Sequence, residues 1–284
     1  MDKRISAMVI NKHIFFDQAK TPELADYLQQ NNILHKNLNG LITFDIIHSD
    51  PHWPVINVII ERNHISCLSE TSFSQKELSS AEWLTVRSQW RNGYPQPEGN
   101  FGYQRITYCD DQYCAACGSG LQQVDSFRIK ATPKWGNRHF MMLNWVFDEL
   151  FMDDDAKGVL TDAGFSGIRF MEVKNKNGSA VLPGVNQLII ETRSFPGFVT
   201  GRPDVRNIAV CRVCGIPKYH PSGIGMHAFR KEALNDMPDI CKTAEIFDWG
   251  KSASRRILIR QNVYRAIMEN HLERGLVFAP IDLF

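Results

Sequence analysis

The chain has 284 residues, is 43% hydrophobic and carries a formal net charge of +1. That is enough apolar material for one large domain or two small ones, and the near-neutral balance excludes a globally basic nucleic-acid binder while leaving room for a local patch. No apolar run approaches the ~20 residues needed to span a bilayer. The apolar stretch at 5–10 is soon interrupted by Asn11, Lys12 and His13, too early for a signal peptide, so the sequence predicts a cytoplasmic protein.

In chain order, residues 1–100 read as a mixed α/β region. A strand is expected at 5–10. Thr21-Pro22-Glu23 opens a helix to about Gln30, with proline in the first turn and an acid at the positive end of the dipole. The β-branched runs at 42–47 and 55–61 predict strands around Pro51 and Pro54. Ser74-Gln75-Lys76-Glu77 is a capping box, predicting a helix through Trp83 and Val86 to Trp90. The turn-rich 93–100 then reads as a linker. Beyond it, strands are expected at 101–108, 127–131, 168–173 and 187–192, and a short helix from Asp153 to about Asp162 that stops at Gly164.

Two copies of one short pattern stand out in this second region: Cys114-Ala115-Ala116-Cys117-Gly118 and Cys211-Arg212-Val213-Cys214-Gly215. Each places two thiols on a tight turn, with a glycine where the chain must take positive φ. Four such sulfurs are what a closed tetrahedral zinc site requires, and a fully cysteinyl site leaves no position open for water or substrate. The alternatives are disulfides or a redox dithiol, although an odd cysteine count, seven, argues against a fully paired framework. The 93 residues between Cys117 and Cys211 exceed the spacing of an ordinary zinc ribbon. The longer loop costs only about 1.5 kcal/mol more, against a zinc contribution on the order of 10 kcal/mol. Cys67, Cys109 and Cys241 read as small buried apolar side chains.

A repeat runs through the same region. At a constant offset of 108, Phe151 matches Ile259, Val159 matches Ile267, Gly167 matches Gly275 and Phe170 matches Phe278. Internal similarity of this kind predicts duplicated modules, at about 143–173 and 244–281. The modules differ in charge. Residues 145–172 carry Asp148, Glu149, Asp153, Asp154, Asp155, Asp162 and Glu172 against Lys157 and Arg169; residues 249–274 carry Lys251, Arg255, Arg256, Arg260, Arg265 and Arg274 against Glu269 and Glu273. One reading is two solvated helix faces; the other is an acidic surface, with Asp148, Glu149 and Asp153–Asp155 as its candidates, that meets a basic partner. The expected fold class is therefore α+β: a mixed α/β region over 1–100, then over 101–284 a duplicated α/β module stapled by a zinc-ribbon-like site of Cys114, Cys117, Cys211 and Cys214.

The two Cys-x-x-Cys-Gly knuckles, the Leu-Asn-Trp-Val-Phe-Asp-Glu-Leu-Phe stretch at 143–151, the Gly-Phe-Ser-Gly-Ile-Arg-Phe segment at 164–170 and Gln187-Leu188 resemble the bacterial double-CXXCG family. The resemblance covers roughly 101–284 and is faint over 1–100. It implies an immunity protein of a contact-dependent or polymorphic toxin system, which neutralises a cognate toxin in the cytosol. Only the four knuckle cysteines carry over as site residues, with structural zinc as the cofactor.

No enzyme signature accompanies these features: the sequence has no Gly-x-Ser-x-Gly, Walker-type loop or His-Glu-x-x-His. His139, His220 and His227 read as satisfied or surface histidines, Trp145 as core, and Gly223-Ile224-Gly225 as a loop. Three functions stay open. The first is a non-enzymatic binder that occludes a toxin. The second is a zinc-ribbon protein holding nucleic acid through Arg255, Arg256, Arg260 and Arg265. The third is a hydrolase or transferase without a recognisable motif.

Overall fold

The computed structural model describes residues 8–202 and 205–284; residues 5–7 of the first expected strand lie outside the described residues. The fold is mixed α+β and falls into two compact units, one running to Glu77 and taking in Ser222–Met226, the other formed by Leu78–Pro221 and His227–Phe284.

The first unit contains β1 (Val9–Asp17), α1 (Pro22–Gln30), β2 (Lys36–Leu38), β3 (Leu41–Ile47), α2 (Trp53–Arg62) and β4 (Cys67–Ser72). Its strands form an antiparallel sheet in the order β2-β3-β1-β4. Alternation puts Ile14, Phe16, Ile42, Phe44 and Ile46 on one face, packed with Leu24 and Leu28 of α1 and Ile56 and Ile60 of α2. Residues 55–61, expected as a strand, are helical. Trp53, Ile56, Ile59 and Ile60 are buried at helical spacing, Val55 and Val58 are exposed, and Pro54 sits in the first turn. Burial of one helical stripe overrides the β-branched propensity. Segment Ser222–Met226 is held on β4: the Thr71 hydroxyl donates to the Gly223 carbonyl and accepts from the Gly225 amide, both at 2.8 Å. A Cβ on Gly223 would stand 1.8 Å from the Ser69 carbonyl oxygen, so only glycine fits this approach.

Helix α3 (Gln75–Ser80) follows, then β5 (Trp83–Ser88). The capping box forms, with the Glu77 carboxylate accepting from the Ser74 amide at 2.7 Å, but the helix ends ten residues short of Trp90. Trp83, Leu84, Val86 and Ser88 are buried in a strand flanked on both sides. The rest of the second unit comprises α4 (Tyr103–Thr107), β6 (Tyr108–Cys109), β7 (Gln122–Gln123), β8 (Arg128–Ile129), β9 (Phe140–Met141), β10 (Leu150–Met152), α5 (Asp154–Asp162), β11 (Arg169–Asn175), β12 (Val181–Ile189), β13 (Val205–Val210), β14 (Pro217–Pro221), β15 (His227–Phe229), β16 (Ile240–Lys242), β17 (Ile246–Phe247), β18 (Ile257–Arg260), α6 (Gln261–Glu269) and β19 (Leu276–Leu283). The strand expected over 101–108 is mostly helix α4, and that over 187–192 ends at Ile189.

Two five-stranded sheets have the same plan, β8-β11-β12-β10-β9 and β15-β19-β5-β18-β16. In each, the first strand runs parallel to its neighbour and the other pairs are antiparallel. The strand–helix–strand β10-α5-β11 corresponds to β18-α6-β19 at the offset of 108, so Phe170 faces Leu188 where Phe278 faces Val86. The central strands are exchanged. β12 follows the first module in the chain and completes its sheet. β5 precedes both modules and completes the sheet of the second. Counted by strand order, one repeat is β5, knuckle, β8, β9, β10, α5, β11 and the next is β12, knuckle, β15, β16, β18, α6, β19. The leading strand of each is the centre of the other's sheet. Leu84 and Val86 of β5, Leu188 of β12, Leu160 of α5 and Ile267 of α6 meet in one buried cluster shared by the two sheets, while the opposite face of each sheet packs into a cluster of its own, around Phe127 and Phe151 in the first and around Trp83 and Phe229 in the second.

Candidate metal centre

The knuckles keep the pairing of the repeats, at an offset of 97. In the first, the Cys114 amide donates to the Ser119 carbonyl at 2.7 Å and the Gly118 amide to the Cys114 carbonyl at 2.7 Å. In the second, the Cys211 amide donates to the Ile216 carbonyl at 3.0 Å and the Gly215 amide to the Cys211 carbonyl at 2.8 Å. Gly118 and Gly215 take φ of +77° and +73°. Gly118 is needed for space as well: a Cβ there would lie 1.7 Å from the Gly250 carbonyl oxygen. Segment 249–250 clamps this turn, the Trp249 indole donating to Ala116 O at 2.8 Å and the Gly250 amide to Cys117 O at 3.1 Å.

The four sulfurs come together within 4.8 Å of one another. Equivalent cysteines of the two repeats face each other, Cys114 and Cys211 at 3.8 Å and Cys117 and Cys214 at 3.6 Å. A tetrahedral zinc with bonds of about 2.3 Å to sulfur requires S···S separations of about 3.8 Å, whereas a disulfide bond is about 2.0 Å. All seven cysteines are free. Backbone amides are directed at the sulfurs in the same way in both turns, those of Ala116 and Cys117 toward Cys114 and those of Val213 and Cys214 toward Cys211. Burial pushes the Cys114 thiol up to about 11. It also acts to raise Cys117, but the hydroxyl and amide of Ser119, with the neighbouring sulfurs, bring that thiol down to about 6. The Ser119 hydroxyl lies 2.9 Å from Cys117 Sγ.

Lys218 supplies a second test of fit. It is 0% exposed, and its Nζ finds no nitrogen or oxygen partner among the described residues, the Cys117 sulfur being the group it faces. Burial draws its ammonium below the ordinary lysine value, and the charges of Cys117 and Cys214 oppose that shift. An orphaned buried ammonium is costly. Beside a zinc held by four thiolates, whose net charge is about −2, it balances charge instead. The donor set, the sulfur spacing and this counter-charge fit zinc. Four cysteines fill the coordination shell, so the metal would cross-link the repeats and supply no open Lewis-acid position. None of the histidines near the knuckles joins the four-cysteine group, and Cys109 stays outside it.

Comparison with protein-family models finds no match to this chain, and comparison with the curated proteins finds none either.

Of the five acids read in the sequence as one surface, Glu149 is buried, Asp148 and Asp153 are half-buried, and Asp154 and Asp155 are exposed. Glu149 is buried and pairs with buried Lys242 at 2.5 Å, and Gln187 donates to its other oxygen at 3.2 Å. Burial pushes Glu149 above the usual carboxylate range; Lys242, which burial alone would lower, is held above its ordinary value by Glu149 and Asp148. Asp148 accepts from the Arg255 amide at 3.2 Å. Asp153 caps α5, accepting from the Ala156 amide at 2.9 Å, and pairs with His139 at 2.8 Å. Asp155 brings a carboxylate oxygen within 4.8 Å of this pair. Asp154 accepts from Asn186 at 2.8 Å, and Asp155 is exposed. Three of the arginines considered for nucleic acid are also drawn inward. Arg255 donates to the Thr243 and Ala244 carbonyls, Arg256 lies 4.7 Å over the Phe247 ring and Arg260 lies 4.5 Å over Trp83.

A cavity of about 600 Å³ opens beside the first knuckle, lined in part by Ser119, Asp148, Glu149, Lys242 and Arg255. Sequence reasoning singled out neither Lys218 nor the Glu149–Lys242 pair. Lys218 lies four residues past Cys214, but nothing local marks it as buried; the partners of the ion pair are 93 positions apart.

Proposed function

We propose that this protein is a non-enzymatic binder, an immunity protein that neutralises a cognate toxin domain by covering it, with zinc bracing the repeat unit. The observation that carries the reading is the open face of the first unit's sheet. Phe15, Leu41, Ile47 and Leu68 are exposed there. Asp17 stands opposite Leu41, Asp45 opposite His13 and Glu70 opposite Asn11 on the same face. An exposed apolar sheet face interspersed with acids suits a protein partner whose contact surface is apolar and basic. Helices cover only the other face, and no helix among the described residues is long and apolar enough to cross a membrane. The resemblance over 101–284 supplies the toxin as the class of partner. The inward commitment of Arg255, Arg256 and Arg260 weighs against the nucleic-acid alternative.

The test is binding of the purified chain to the toxin domain encoded beside it, with Phe15→Lys and Asp45→Lys variants. Nanomolar binding that each variant weakens at least ~10-fold supports occlusion through this face. Undiminished binding by both variants removes this face from the contact. Binding of DNA with a steep salt slope and no affinity for the toxin overturns the reading. A homodimer that Phe15→Lys dissociates reassigns the face to self-association.

A further inference from the structure

The cavity beside the first knuckle has an excess of positive charge. Its charged lining consists of Arg169, Arg193, Lys242, Lys251 and Arg255 against Asp148, Glu149 and Glu191. Two pairs are satisfied internally, Lys242 with Glu149 at 2.5 Å and Arg169 with Glu191 at 2.7 Å. Asp148 lies 3.9 Å from Lys242 and takes the Arg255 amide. Arg193 lines the cavity with no side-chain hydrogen bond or ion pair among the described residues. Arg255 uses Nη1 for the Thr243 and Ala244 carbonyls, which fixes its guanidinium at the wall. Lys251 sits 3.1 Å over the Phe101 ring.

The rest of the lining is aromatic and amide. Tyr103, Tyr108, Tyr113, Trp145 and Phe147 contribute ring surface. Gln123 lines the cavity and is locked by reciprocal bonds of 2.8 and 2.7 Å to Gln187, which in turn donates to Glu149. Gln123 is thereby held in place before any ligand arrives. A volume of about 600 Å³ falls in the range of small-molecule sites.

We propose that this cavity binds a ring-bearing organic dianion of mononucleotide size, its anionic group held by Arg193 and Arg255 and its ring laid against the aromatic wall. Two surplus positive charges match a phosphate monoester near neutral pH. Guanidinium pairs favour phosphate and carboxylate oxygens through charge-assisted hydrogen bonds. Ring faces give sequence-tolerant stacking to a heteroaromatic base. The proposal does not rest on toxin binding.

Calorimetric titration of the zinc-loaded full chain with AMP, GMP, CMP and UMP, and separately with adenosine and inorganic phosphate, tests it. At least one mononucleotide is expected to bind, with adenosine and phosphate each weaker by about tenfold or more. Arg193→Gln, at an exposed side chain, is expected to weaken the mononucleotide about tenfold while leaving the thermal midpoint unchanged. Failure of all four mononucleotides to bind at about millimolar concentration overturns the proposal. So does phosphate binding as tightly as the mononucleotide, or an affinity unchanged in Arg193→Gln.

Discussion

Zinc removal is the perturbation whose size follows most directly from the structure. A metal held by the four clustered cysteines would tie Cys117 to Cys211 and so close a loop of 93 residues. A cross-link over a loop of that length restricts the unfolded chain by about 4.7 kcal/mol, and this is a lower bound, since zinc–thiolate binding contributes on the order of 10 kcal/mol in structural sites. For a unit of this size each kcal/mol moves the thermal midpoint by about 2–4 °C, so the repeat unit should lose roughly 10–20 °C on chelation. Cys214→Ser is the cleanest variant, because Cys214 is exposed and serine costs little packing there. Calorimetry on wild type, wild type with chelator, and Cys214→Ser should show the last two converging on one lower midpoint, with the variant insensitive to chelator. Cys109→Ser, outside the cluster, should melt like wild type. A chelator shift below ~3 °C, or a Cys214→Ser chain that keeps both its zinc and its midpoint, would refute the reasoning.

Three further outcomes follow from particular contacts. Lys242→Met should cost about 3–5 kcal/mol by stranding the Glu149 carboxylate, whereas Lys242→Met with Glu149→Gln should recover most of that loss, read from urea midpoints. Gly118→Ala should abolish tight zinc binding, because its Cβ meets the Gly250 carbonyl, while Gly215→Ala, with open space around it, should cost only the left-handed strain of about 1–2 kcal/mol; competition with a metallochromic chelator separates the two. The ion pair with Lys174, opposed in part by burial, holds Asp125 below its ordinary carboxylate value. Its contribution to stability is therefore complete above that ordinary value and disappears as pH falls through the lower folded-state value. The stability difference between wild type and Asp125→Asn should shrink across that acid window, and a difference independent of pH would contradict the assignment.

What the sequence disclosed was local. The knuckles are visible because the thiols and the positive-φ glycine lie within five residues. α1 and α5 are visible because proline, acidic residues and a capping aspartate mark their starts. The offset of 108 is visible because the repeats keep apolar residues and a turn glycine in register. What was hidden depends on distant partners. The 55–61 segment has strand composition, and only burial of Trp53, Ile56, Ile59 and Ile60 against the sheet makes it a helix. β5 follows a capping box and carries no local sign that it will be the centre of a sheet built from β18 and β19, more than 160 residues later. The exchange of leading strands was hidden for the same reason, and with it the core shared by the two sheets. Glu149 reads as one of a run of acids until Lys242 arrives from the other repeat to bury it.

X-ray absorption at the zinc edge of the purified full chain tests the centre most directly. One zinc per chain with four sulfur scatterers at about 2.3 Å and no nitrogen or oxygen neighbour is the expected result. A chain without bound metal, or a metal with lighter atoms among its ligands, would contradict the joining of Cys114, Cys117, Cys211 and Cys214 at a single ion.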